Sequence, residues 1–150
     1  MESFFGSARR NEFQTYMTGF AAKFGVSIGS PDHIPNTRRA LAITEYARDQ
    51  GKLEEFRDAT MAAHWFEGKN IENDDDLKKI AASVGLDGGS ALGAADDPRY
   101  LGRVDELRKE ATLNQITGIP TFVLGDQKVV GCQPYQVIEQ RALAAGFQKR

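Results

Sequence analysis

The sequence predicts an α+β fold that is mostly helical, with one β-hairpin near residues 121–130 and a helix after it. Three observations carry that prediction. Apolar residues recur at spacings of three and four through most of the chain, the pattern of helices with one buried face. Only one stretch offers a convincing strand pair: Thr121 to Leu124 and Lys128 to Val130 are β-branched and apolar, and Gly125-Asp126-Gln127 between them reads as a short loop. Pro134 then stands where a last helix would begin, with Gly146 where it would end.

Taken in order, Arg9 to Phe24 places Phe13, Tyr16, Met17, Phe20, Ala21 and Phe24 on one stripe that stops at Gly25, a pattern of core or interface rather than of a ligand box. Ser30 to Pro35 reads as a loop, since Pro35 disfavours helix at Ile34, and Asn36 is placed to cap a helix over 37–50 with Ala40, Ile43, Tyr46 and Ala47 inward. Leu53 to Glu67 follows, with Leu53, Phe56, Thr60, Ala63 and Phe66 as its buried line. Asp74 to Asp76 put negative charge at the start of a fourth helix, where the dipole favours it, and Leu77, Ile80, Ala81 and Val84 form its face. Asp87-Gly88-Gly89 and Gly93 read as loosened chain. Asp97 then caps, and Pro98 opens, a long helix to about Asn114 with Leu101, Val104, Leu107, Ala111 and Leu113 inward. Pro120 opens the first strand after Gly118, and on the residues alone its peptide bond can be cis or trans. Val137, Ile138, Ala142 and Leu143 give the last helix its apolar side.

Composition narrows the class. A chain of 150 residues is about one domain and large enough for a core that needs no disulfide. No apolar run approaches the length of a membrane span, and a net charge of -2 argues against a nucleic-acid surface. Met1 is followed by Glu2, Ser3 and Phe4-Phe5, with no basic end leading into an apolar core, so no secretory start is read and the cytoplasm is the expected location. The single cysteine, Cys132, excludes a disulfide within the chain.

The candidates for chemistry are few. His64 beside Trp65 reads as a packed side chain. Three consecutive carboxylates at Asp74–Asp76 cannot converge on one ion from a helix start, so no metal is expected there. Gly88-Gly89 follows no strand and has no lysine partner, which removes a phosphate loop. Cys132 lies just ahead of a helix, a position that can activate a thiol, and the weighed alternative is a small residue packed inward between strand and helix.

Gly118-Ile119-Pro120-Thr121-Phe122-Val123 and Val130-Gly131-Cys132-Gln133-Pro134-Tyr135 resemble the end of a DsbA-like thioredoxin-fold protein, in the branch near the FrnE proteins and the 2-hydroxychromene-2-carboxylate isomerases. Asn36 to Ala40, Gly68 to Ile71 and Leu77 to Asp87 fit the same branch in the same order. The resemblance implies that residues 36–114 are the family's helical insertion and 115–150 the second half of its thioredoxin domain. It implies that Ile119 and Pro120 match the family's cis-proline loop, which with Thr121 aligns an extended protein substrate or a thiol ligand. It also implies a departure, because the family's first strand, Cys-x-x-Cys helix and second strand do not precede Phe4, and no residue stands for the reactive cysteine or for the serine that replaces it in glutathione-binding relatives. Ser3 and Ser7 are not substitutes.

A hairpin alone is marginal, and the Thr121 strand would be left with a free edge. The expectation is a homodimer that uses that edge, the aromatic helix at 13–24, or both. The functional expectation is a thiol-disulfide oxidoreductase-like protein without dithiol activity of its own and without a cofactor. A binding or assembly module, and a glutathione-linked isomerase or transferase, are the alternatives.

Overall fold

The computed structural model describes residues 7–29 and 34–149, and of residues 7–11, 13 and 14 the backbone only. The readings placed on Ser3, Phe4, Phe5, the Ser30–His33 loop and the side chains of Ser7 and Phe13 lie outside what is described. The chain forms two compact units, Met1–Val104 and Asp105–Arg150.

The first unit holds α1 (Ser7–Ala22), α2 (Arg38–Asp49), α3 (Leu53–Trp65), α4 (Asp74–Ser83), α5 (Gly88–Ala95) and the start of α6 (Pro98–Leu113). Helix α2 packs on α3 and α5, and α4 packs on the same pair. The core between them is built on Ile43, Phe56 and Leu77, which are fully buried, with Ile71, Ile80 and Leu86 around them. Ala40, Ala47, Ala63, Ala81, Ala91 and Ala95 complete it, and their small side chains let the helix backbones approach closely. A second cluster joins Ala42 and Ala94 to Tyr100, whose ring meets Tyr46 edge-on at 5.8 Å.

Helix α5 is the element the spacing missed. Its two opening glycines read as loop, yet Asp87 caps it by accepting the Ser90 N–H at 2.7 Å, and Ala91, Ala94 and Ala95 are buried. Gly88 is needed for approach: a Cβ there would sit 3.2 Å from the Lys78 carbonyl oxygen of α4. Asn73 caps α4 by accepting the Asp75 and Asp76 N–H groups, so the aspartates stand in the first turn rather than at the cap. Asn36 accepts the Arg38 N–H at 3.0 Å, one residue ahead of the N-cap Thr37. Phe66, expected inside, is exposed just past the end of α3. His64 is buried against the Trp65 ring at 4.9 Å, and its Nδ1 has no hydrogen-bond partner. On α1, Phe20 stacks on Tyr16 at 6.0 Å and meets Phe24 edge-on at 5.3 Å, while Tyr16 and Phe24 stay exposed.

Polar clamps hold the helices in register. Arg39 on α2 donates from Nη1 to Asp74 on α4 at 2.6 Å and from Nε and Nη2 to the two oxygens of Asp96, just past α5, at 3.0 and 2.9 Å. Arg103 on α6 donates to Asp49 at the end of α2 at 2.7 Å. That hydrogen bond holds the Asp49 carboxyl below the ordinary carboxylate range, and the Ser90 backbone N–H does the same for Asp87. A carboxyl depressed in the folded state binds its proton more weakly than in the unfolded chain. Its stabilisation is therefore present above the unfolded value of about 4 and is lost as pH falls through the lower folded value. Melting temperature is expected to fall on that acid limb, and Asp49→Asn should make the limb shallower in a pH series followed by circular dichroism.

The second unit holds the rest of α6, β1 (Thr121–Leu124), β2 (Gln127–Val130) and α7 (Tyr135–Ala144). The strands pair antiparallel with Thr121 opposite Val130, Phe122 opposite Val129, Val123 opposite Lys128 and Leu124 opposite Gln127. Gln127 therefore belongs to the second strand, and the loop is Gly125-Asp126 alone. Gly125 makes this possible with φ at +62°, the first central position of a II′ turn. Helix α7 packs against β2, and Val129 is buried. Four side chains expected to face inward are exposed instead: Leu107 and Leu113 on α6, Val137 and Leu143 on α7.

Candidate functional site

The residues the sequence singles out at 119–121 lie where the chain enters β1. The Ile119–Pro120 peptide bond is cis. Ile119 is 92% exposed, the most exposed of the large apolar side chains described. Thr121 is fixed beside it, because its hydroxyl donates to the Gly118 carbonyl at 2.6 Å. Gly118 itself lies under Val130: a Cβ there would be 3.2 Å from the Val130 Cγ1. The loop is thus held from both sides, with one apolar side chain presented to solvent.

The hydrogen bonds of the hairpin decide which backbone groups are free. Gly131 N–H donates to the Pro120 carbonyl at 2.8 Å, which makes Pro120 and Gly131 a hydrogen-bonded pair. In an antiparallel ladder such pairs alternate, so Phe122 with Val129 and Leu124 with Gln127 are bonded pairs as well. Thr121 and Val123 consequently turn their N–H and C=O groups away from β2. Pro120's missing N–H falls on the paired side and takes nothing from the outer edge. Among the described residues no strand pairs with that edge. The same alternation puts Phe122 and Leu124 on the face of buried Val129, and Thr121 and Val123 on the face of Lys128 and Val130.

Cys132 is not packed inward; it is exposed, between Gly131 and the Pro134 that caps α7. Helix α7 begins only at Tyr135, and no side chain caps it. Gln133 beside the cysteine donates to the Val130 carbonyl at 3.0 Å. The Lys128 ammonium donates to the Asn114 carbonyl. Strand β1 carries no charge. Among the described residues no group of histidine, cysteine and carboxylates could hold a metal ion, and no helix is long and apolar enough to cross a membrane. What spacing could not reach was Val123, whose part here is its backbone and follows only from the register.

The described residues give an antiparallel hairpin with a cis-proline at its entry and a helix after it, beside a helical unit of its own. Residues 5–142 match the family described as DSBA-like thioredoxin domain, and the chain belongs to that family. It is 32% identical over 131 residues to the uncharacterized protein YwbO of Bacillus subtilis (strain 168), covering 85% of this chain and 66% of that protein. A crystal structure of a probable DsbA oxidoreductase from Streptomyces coelicolor superposes with a TM-score of 0.82 at 24% identity, over 97% of this chain and 64% of the other. At that identity the superposition speaks for the fold. The chain spans about two thirds of the length of both relatives.

Proposed function

We propose that this chain is a thiol-disulfide oxidoreductase-like protein that does not exchange disulfides by itself and works as a docking module, taking an added strand on the outer edge of β1. The observation that carries the reading is the free edge: Thr121 and Val123 offer two donors and two acceptors beside the exposed Ile119, and no strand among the described residues takes them. Family membership supports the thiol-disulfide part, and the single cysteine supports the absence of dithiol exchange within these residues. Ile119, Pro120 and Thr121 are the docking residues of this reading. The reading requires no cofactor, and glutathione is its competitor as an occupant of the loop. A position near the FrnE proteins and 2-hydroxychromene-2-carboxylate isomerases belongs to the same proposal, supported by Asn36–Ala40, Gly68–Ile71 and Leu77–Asp87.

Two measurements test it. Insulin reduction and refolding of a scrambled disulfide substrate should show no turnover above a Cys132→Ala control, and turnover that the substitution abolishes would overturn the first half. Amide hydrogen exchange read by NMR tests the second. A strand docked on the edge protects the Thr121 and Val123 amides, which the hairpin leaves unbonded. Rapid exchange at both, beside slow exchange at Phe122 and Val129, would refute docking.

A further inference from the structure

We draw no further inference here: the strongest candidate, the aromatic face of α1 formed by Tyr16, Phe20 and Phe24, carries nothing, because nothing in the structure shows what covers it.

Discussion

Phe56→Ala is expected to destabilise the helical unit by about 3–5 kcal/mol, because Phe56 is fully buried and its ring leaves a cavity that rigid helices close only in part. Phe56 sits in the first turn of α3, within the cluster that also takes Ile43 from α2 and Leu77 from α4. Losing it weakens the contacts of α3 with both neighbours. The measurement is direct, because the chain's one tryptophan, Trp65, closes the same helix and its fluorescence follows that unit through a urea titration. The midpoint should fall with little change in slope, since the surface exposed on unfolding is nearly the same. A loss below about 1 kcal/mol would mean that this core is not the close-packed one described.

The second large effect comes from adding volume. Ala91→Leu places three more carbons on α5 at a fully buried position between α2 and α4, and is expected to cost about 1–3 kcal/mol through displaced helices or strained rotamers. Gly93→Ala on the same helix is the control. A Cβ there meets nothing within 4 Å, and its helix propensity is better by up to about 1 kcal/mol, so stability should hold or rise. If Ala91→Leu were tolerated as well as Gly93→Ala, the close approach of the three helices would be refuted. Temperature melts of the two variants side by side are enough to decide it.

The helices that bury a face were legible because their spacing reports burial. Ala40, Ile43 and Ala47 on α2, Phe56 and Ala63 on α3, and Leu77, Ile80 and Ala81 on α4 stand inside as the pattern requires. Spacing failed where another term outweighed it. Helix α5 hid behind Gly88, Gly89 and Gly93, poor helix formers held by the Asp87 cap and by packing on α2 and α4. Glu45 is buried on α2 although charged, since Arg48 donates to both of its oxygens at 3.0 and 3.1 Å. Leu107, Leu113, Val137 and Leu143 carry apolar signals yet stand exposed, and a periodicity cannot say whether its partner is present. At the candidate site the hairpin and its proline were readable from β-branched runs and a glycine turn. Which edge is free was not, because that depends on hydrogen-bond alternation, and a one-residue change of register would reverse it.

The Arg39 clamp has a consequence for how the helical unit tolerates change. One planar fork reaches Asp74 with one nitrogen and both oxygens of Asp96 with two others, so it locks two separate stretches of chain to α2 at fixed angles. A lysine at that position would keep the charge but offer a single point from which to reach both carboxylates. The joint would then become a swivel, and the angle between α4 and the end of α5 would rest on the apolar packing of Leu77, Ile80 and Leu86 against Ala91 and Ala95.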